Sequence, residues 1–350
     1  MDWTINNEII EKLSTFVREA QKVVCIMHKN PDGDAVGASL AMRSVMQNLN
    51  KTCNVISPNA YPAFLHWLPG HSDVVIYDKQ KEHAKRLIEE ADLVFFLDFN
   101  MANRIGKVED VLDTIKGHTV MIDHHPEPST FAELTLSETS VSSTCELVYA
   151  TLHLLGFAHL VDTPAAECLY TGIMTDTGSF SYNSSRAYTY HVVSQLLTIG
   201  IDKDKIYGNV YDNYSANRMR LLGFMLLERM VVLEEYHTAY IHLSRSDLKR
   251  FHYAPGDTEG FVNYPLAVKG IRFTAIFIEK EPGEGVKISF RSKGHFPANE
   301  FSSAHFNGGG HRNAAGGHFQ GTLQEALNQF RQQLTSYRHL LIKTKEDEEK

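Results

Sequence analysis

Long apolar runs are missing from this chain: none approaches the ~20 residues that a helix needs to cross a bilayer. The amino terminus, MDWTINNEIIEK, lacks the basic-then-apolar layout of a secretory signal, so no membrane span is expected and the protein is read as cytoplasmic. Cysteine is scarce. The four present, Cys25, Cys53, Cys145 and Cys168, stand far apart without a C-x-x-C pair, which excludes a disulfide scaffold and points to reduced, buried thiols. Positive charge is short too: 34 Lys and Arg against 42 Asp and Glu leave a net charge of −8, unsuited to a long basic footprint on duplex nucleic acid. An anionic ligand would have to be drawn by local donors. No internal repeat or low-complexity segment is present. What remains is an ordinary globular balance, 43% hydrophobic and 22% charged, over 350 residues, enough for two domains with their own cores. Histidine is plentiful, at 18, and its placement carries the rest of the reading.

The first half alternates apolar runs with helical patterns, as α/β proteins do. VVCIM is followed by ASLAMRSVMQNL, where Ala38, Met42, Val45 and Leu49 fall at helical spacing. The helical HAKRLIEEA, the run DLVFFL, a helical stretch near VEDVLDTIK and the run TVMI continue the cycle, so three apolar runs read as buried parallel strands. SSTCELVYATLHLLG and AAECLYTGIMTD read as helices lining the same sheet, and RMRLLGFMLLERM as a connecting helix. Beyond Met230, VVLEEYHTAYIHL, IRFTAIFIE and KISFRS are β-rich, with EPGEG a hairpin turn, and TLQEALNQFRQQLTSY closes as a helix. The expected fold is α/β: a parallel-sheet domain over 1–200, a helical linker over 201–230, a smaller α/β substrate-binding domain over 231–342 and a fraying charged tail over 343–350.

Acidic residues follow the apolar runs four times. VVCIM leads into HKNPDGD with His28, Asp32 and Asp34; DLVFFL leads into Asp98; TVMI leads into Asp123-His124-His125; and the helical YTGIMT leads into Asp176. Ligands of an open parallel sheet bind at the carboxyl ends of its strands, so these loops are expected to converge on one edge. Side by side, so many carboxylates repel one another, and a divalent cation relieves that repulsion. Mixed imidazole and carboxylate donors suit Mn²⁺, Co²⁺, Fe²⁺ or Zn²⁺ better than Mg²⁺. The donors outnumber what one ion uses, so two ions are expected, with Asp98 bridging them because its strand is central. A pair of ions roughly 3.5–4 Å apart suits in-line attack of a hydroxide on phosphorus. Taken singly, Asp32 and Asp34 also fit an Asx turn, Asp98 a helix cap and Asp176 a turn. A calcium loop of the EF-hand kind is excluded, because its twelfth position is Arg43 where a glutamate is required. Nothing in strand or turn formation calls for D-H-H.

A second cluster is NGGGHRNAAGG, residues 307–317, with Arg291 shortly before it. Consecutive glycines, Gly309 and Gly310 among them, let backbone N–H groups approach an anion, and a following helix start would add its positive end. His311 and Arg291 would grip a phosphate. The plain alternative is a hairpin loop.

With HKNPDGDAVGAS, FFLDFN, IDHHP, TGIMTDTGSF and GGGHRNAAGG in this order, the chain resembles the DHH phosphoesterase superfamily, in the branch that pairs a DHH domain with a DHH-associated GGGH domain. The resemblance covers almost the whole chain. It implies that His28, Asp32 and Asp98 hold one metal, and that Asp34, Asp98, His124 and Asp176 hold the other. Asp123 would support the site from behind, and His125 would donate to the scissile phosphate or the leaving oxygen. Arg104 matches an arginine often found six residues after the aspartate; Arg291, Gly309, Gly310 and His311 would bind the substrate phosphate, with closure of the two lobes completing the site. One departure is that Ser181-Tyr182-Asn183 follow DTGSF where many relatives carry an arginine, Arg186 coming later.

Within that superfamily the size and plan are similar to the nanoRNase and pAp phosphatase group. RecJ-like exonucleases carry further domains, and family II pyrophosphatases use a lysine-rich second domain. The implied activity is a Mn²⁺-dependent hydrolase of short single-stranded RNA, releasing 5′-nucleotides, and of 3′-phosphoadenosine 5′-phosphate (pAp). The rivals are a phosphodiesterase for cyclic or linear dinucleotides, an exopolyphosphatase, and a nucleotide-binding protein without turnover. A homodimer is compatible with this reading, and no membrane partner is expected.

Overall fold

The computed structural model describes residues 6–342, so the expected charged tail at 343–350 lies outside the described residues. The chain divides into two compact units, Met1–Asn213 and Tyr214–Lys350. In the first, helix α1 (Asn7–Glu19) precedes β1 (Lys22–Met27), α2 (Gly33–Asn48), β2 (Thr52–Ser57), β3 (Val75–Ile76), α3 (Lys81–Glu89), β4 (Leu93–Leu97), β5 (His118–Asp123) and β6 (Leu134–Ser137). Helices α4 (Thr144–Leu154), α5 (Thr163–Asp176), α6 (Ala187–Ile199) and α7 (Lys203–Tyr211) complete it.

The strands form one six-stranded sheet in the order β3-β2-β1-β4-β5-β6, parallel throughout. Parallel sheets are covered on both faces, and the alternation of side chains along each strand shows it here. Val23, Cys25 and Met27 of β1 and Leu93, Phe95 and Leu97 of β4 enter a core with α2, α4 and α5. Val24, Ile26, Val94 and Phe96 enter a second core, against α3 and the 102–114 segment. All four cysteines are free and buried.

Three strands of this sheet escaped the sequence reading. β2, β3 and β6 carry polar residues or are only two to four residues long, so none forms an apolar run of its own. The expected helix at VEDVLDTIK is instead part of a string of 3₁₀ turns over Ala102–Thr114, interrupted at Gly106, whose φ of 57° and ψ of −132° no helix accepts.

Glycine sets how closely the helices behind the sheet approach one another. A Cβ added at Gly37 of α2 would lie 2.5 Å from the Cys168 carbonyl oxygen, and one at Gly172 of α5 only 2.1 Å from the Cys145 Sγ and 2.9 Å from Asp34. Only hydrogen fits there, and the close crossing brings α2, α4 and α5 together beneath the site.

The second unit holds α8 (Ala216–Phe224), continued by a π-helical turn at Met225–Arg229, then β7 (Met230–Leu233), β8 (Thr238–Leu243), α9 (Arg245–Arg250), β9 (Phe273–Glu279) and β10 (Val286–Ser292). There follow α10 (Ala298–His305), β11 (Gly309–His311), β12 (Ala314–Phe319) and α11 (Leu323–Ile342). Its sheet runs β11-β12-β10-β9-β8-β7, antiparallel except for the parallel pair β8–β9. Phe273, Phe277 and Phe290 meet Phe301, Phe306 and Phe330 in an aromatic core. The whole is therefore α/β, a parallel-sheet unit and a smaller mixed-sheet unit. No helix among the described residues is long and apolar enough to cross a membrane.

Candidate metal centre

Register alone brings the first acids together. Met27 of β1 pairs with Leu97 of β4, and Leu97 with Ile122 of β5, so the next residue of each strand, His28, Asp98 and Asp123, emerges level with its neighbours at the carboxyl edge. Adjacent strands lie about 4.8 Å apart, which puts these side chains within mutual reach. β4 lies at the centre of the sheet, between β1 and β5, which makes Asp98 the middle member.

Asp98 has a left-handed backbone, with φ of 70°. Aspartate tolerates this conformation better than most residues, though it still costs up to roughly 1–2 kcal/mol. The carboxylate is buried and divided between two sides: Oδ2 lies 3.4 Å from His28 Nε2, while Oδ1 accepts a 2.8 Å bond from the Thr144 hydroxyl and lies 3.8 Å from His124 Nε2. His28 donates its Nδ1–H to the Lys29 carbonyl at 2.9 Å, which turns Nε2 toward Asp98 and, at 3.8 Å, Asp32. Asp32 also caps α2, its Oδ1 accepting from the Asp34 and Ala35 N–H groups at 3.1 Å each. The turn-forming and site-forming readings of Asp32 are thus both met by one side chain.

Asp34, in the first turn of α2, is buried and accepts from two backbone donors at the start of α4: Thr144 N–H to Oδ2 at 2.6 Å and Cys145 N–H to Oδ1 at 2.8 Å. His124 Nε2 sits 3.9 Å from Asp34 Oδ2 and 3.6 Å from Asp176 Oδ2, at the last residue of α5. Two trios therefore have donor atoms within 4.8 Å of one another, His28 with Asp32 and Asp98, and Asp34 with His124 and Asp176. A third, Asp98 with Asp123 and His125, adjoins them. Asp123 binds His125 at Nδ1 (2.7 Å) and at its backbone N–H (3.0 Å).

The electrostatics are those of a place crowded with negative charge. Burial, with the charges of Asp98 and Asp176 beside it, pushes Asp34 well above the ordinary carboxylate range. Burial disfavours charge on His28, but hydrogen bonds to Asp32 and Asp98 overcome it and hold the imidazole up at about 10. Burial also acts upward on Asp98, and His28, His125 and His124 outweigh it and hold that acid low. For Asp32 the same contest again ends below the ordinary value, His28 prevailing.

Residues outside the predicted set shape the site as well. Asn100 Nδ2 donates to the Pro126 carbonyl at 2.6 Å, and its own carbonyl accepts from Ser129 N–H, which clamps the loop after His125. Thr144 and Cys145 hold Asp34 and Asp98; the S-x-x-E of SSTCE marks only the helix start, where the Ser143 Oγ caps α4 by accepting from Glu146 N–H, and not these contacts. Beyond Asp176 the chain turns through Gly178, Ser179 and Phe180, all left-handed, fastened by the Thr177 Oγ1 accepting from Phe180 N–H at 3.0 Å. Arg104 lies half-buried in the 3₁₀ segment, and its carbonyl accepts from Lys29 N–H at 2.6 Å, beside His28.

In the second unit, β11, β12 and β10 put His311, Ala314 and Arg291 in register across three neighbouring strands. Paired residues share a face, so His311 and Arg291 flank the small Ala314 at about 10 Å. Gly309 and Gly310 are exposed at the sheet edge. No helix begins after them: a tight hairpin at Arg312 and Asn313 returns the chain into β12, which removes the expected helix-end contribution to anion binding.

The model of the DHH family, N-terminal domain, matches residues 22–173, and that of the DHHA1 domain residues 235–337. The bifunctional oligoribonuclease and PAP phosphatase NrnA of Bacillus subtilis is 26% identical over 314 residues, 89% of this chain and 92% of its own. The cyclic-di-AMP phosphodiesterase GdpP of Geobacillus thermodenitrificans is 27% identical over 94% of this chain, which spans only 49% of that protein. Among solved structures, an exopolyphosphatase-related protein from Bacteroides fragilis superposes with a TM-score of 0.94 at 43% identity, covering 97% of this chain and 99% of its own. With both domain models matched and one relative this similar along its length, the chain belongs to the DHH phosphoesterase family and is a hydrolase.

Proposed function

We propose that this protein hydrolyses short oligoribonucleotides to 5′-nucleotides, and pAp to AMP and phosphate, with two divalent cations, Mn²⁺ foremost. The observation that carries the reading is the pair of buried donor trios, His28/Asp32/Asp98 and Asp34/His124/Asp176, side by side at the carboxyl edge of a parallel sheet. The donor chemistry fits: each trio mixes imidazole with carboxylate, the set preferred by first-row transition ions. Burial first, and then the charges of Asp98 and Asp176, push Asp34 upward, and the second of these causes is one that a bound cation would relieve. His28, Asp32 and Asp98 would hold one ion, and Asp34, Asp98, His124 and Asp176 the other. Bound there, such ions supply Lewis acidity, which makes a water nucleophilic near neutral pH and offsets the charge of the phosphoryl oxygens.

The chain's own residues account for the rest. Asp123 fixes the orientation of the His125 ring through Nδ1, and His125 would donate a proton to the leaving oxygen. Water adds to phosphorus as the P–O bond to the leaving group breaks, and that oxygen takes the proton. His311 and Arg291, level across the sheet, would bind substrate phosphate, with the N–H groups of Gly309 and Gly310 as neutral donors. Arg104 would add a cation beside the His28 loop. The similarity to NrnA over most of both chains supports oligoribonucleotide and pAp as substrates.

A second reading, hydrolysis of cyclic di-AMP, is supported by the likeness to GdpP. Incubating the protein with Mn²⁺ and pAp, oligoribonucleotides two to seven nucleotides long, or cyclic di-AMP, with products separated by chromatography, tests both. Turnover of pAp and the shortest oligoribonucleotides is expected. Turnover of cyclic di-AMP alone would establish the second reading, and turnover of none would remove both.

A further inference from the structure

We propose that Thr144 is a positioning residue, its hydroxyl and the first N–H groups of α4 setting the mutual placement of Asp34 and Asp98 for cation binding. This rests on the two-cation reading above and goes further, by naming a residue that touches no ion and yet governs the site.

A threonine hydroxyl in a helix ordinarily donates to the carbonyl four residues back. Thr151, Thr171, Thr175 and Thr177 all do so in this unit. Thr144 stands at the first position of α4, where Ser143 already serves as the cap. Its hydroxyl reaches out of the helix to Asp98 Oδ1 at 2.8 Å, while its N–H and that of Cys145 bind one oxygen each of Asp34. Three donors on two consecutive residues thus grip two carboxylates that arrive separately, one from the first turn of α2 and one from the end of β4.

Each grip leaves a defined remainder. Asp34 has both oxygens tied, so its carboxylate plane cannot rotate. Asp98 has Oδ1 tied and Oδ2 facing His28, and its left-handed backbone makes an anchor useful, since the main chain alone favours other conformations. Thr144 is fully buried and β-branched, so its χ1 is restricted and the hydroxyl direction is fixed by packing. Partners behind metal ligands orient the ligand lone pairs, and their loss typically weakens metal binding or activity about 10–100-fold.

Thr144→Val tests this, because it removes the hydroxyl at nearly constant shape and keeps both N–H donors; Thr144→Ser restores the hydroxyl. The readouts are calorimetric titration with MnCl₂ alone and the thermal midpoint of the cation-free protein. We expect Thr144→Val to bind Mn²⁺ roughly 10–100-fold more weakly at an almost unchanged midpoint, and Thr144→Ser to stay within about threefold of wild type. Equal affinity of wild type and Thr144→Val would overturn the positioning role while leaving the two-cation reading intact. Equal losses in both variants, or losses that track a fallen midpoint, would also overturn it, by reducing Thr144 to packing. A wild-type protein that binds no Mn²⁺ would remove the reading beneath and the proposal with it.

Discussion

Asp123 holds His125 at two points, accepting from the backbone N–H at 3.0 Å and pairing with Nδ1 at 2.7 Å, with the carboxylate completely buried. A ring fixed in this way presents one nitrogen in one direction, which is what proton delivery to a leaving oxygen requires. His125→Ala is therefore expected to lower kcat by roughly 10²–10⁴-fold with little change in Mn²⁺ affinity. Asp123→Asn should lower kcat in the same sense, because the pair acts as a unit. Steady-state kinetics on pAp, alongside Mn²⁺ titration, checks both.

The crossing of α2, α4 and α5 leaves no room at Gly172. Gly172→Ala would press a methyl group on Cys145 Sγ and Asp34 together. The expected result is a loss of about 1–3 kcal/mol in chemical denaturation, the usual penalty for overpacking. Mn²⁺ affinity should fall as well, because the displaced carboxylate is a proposed ligand. A variant as stable as wild type would mean that the helices part more easily than their geometry suggests.

Arg291 lies level with His311 across β12, at the place proposed for substrate phosphate. Removing a group that binds ground state and transition state alike raises KM and spares kcat. Arg291→Ala should show that pattern with pAp, and an unchanged KM would count against a phosphate contact.

Acid should weaken the second unit through Asp247. This side chain lies in the first turn of α9, accepts from Ser244 N–H at 3.0 Å, and takes two bonds from Arg229, at 3.1 and 3.0 Å. Burial pushes its pKa upward, but Arg229 and Ser244 prevail and hold it below the ordinary carboxylate value. A lowered folded-state value means stabilisation that is complete above the unfolded value and is lost as pH falls through the folded one. Asp247→Asn is expected to cost about 1–3 kcal/mol at neutral pH and to make stability less steep in acid, as urea denaturation between neutral and acid pH would reveal.

The fold and the site were legible in the sequence where chemistry and pattern coincide. Apolar runs ending in acid or histidine are conspicuous because strand formation does not call for them, and the central place of β4 followed from the alternation of elements. β2, β3 and β6 were missed because their pairing is decided by neighbours in the sheet, through contacts that a short, partly polar stretch does not advertise. At VEDVLDTIK the side-chain spacing suggests an α-helix, and the chain instead winds through 3₁₀ turns after the break at Gly106.

Thr144 illustrates a different kind of silence. A threonine at the start of a helix is commonplace, and only the fold reveals that its hydroxyl meets an aspartate 46 positions earlier in the chain. Asn100 is similar, since its value lies in a carbonyl 26 positions ahead. The glycines before His311 misled in the opposite sense: composition permits an anion-binding helix start or an edge hairpin equally, and pairing with β12 chose the hairpin.

Two divalent ions are proposed to sit at the paired donor trios. Crystals grown with MnCl₂, with anomalous scattering measured on both sides of the manganese absorption edge, test it directly. Two strong peaks are expected, one among His28, Asp32 and Asp98 and the other among Asp34, His124 and Asp176, with Asp98 reaching both. Peaks on other residues only, or none at full manganese loading, would contradict it.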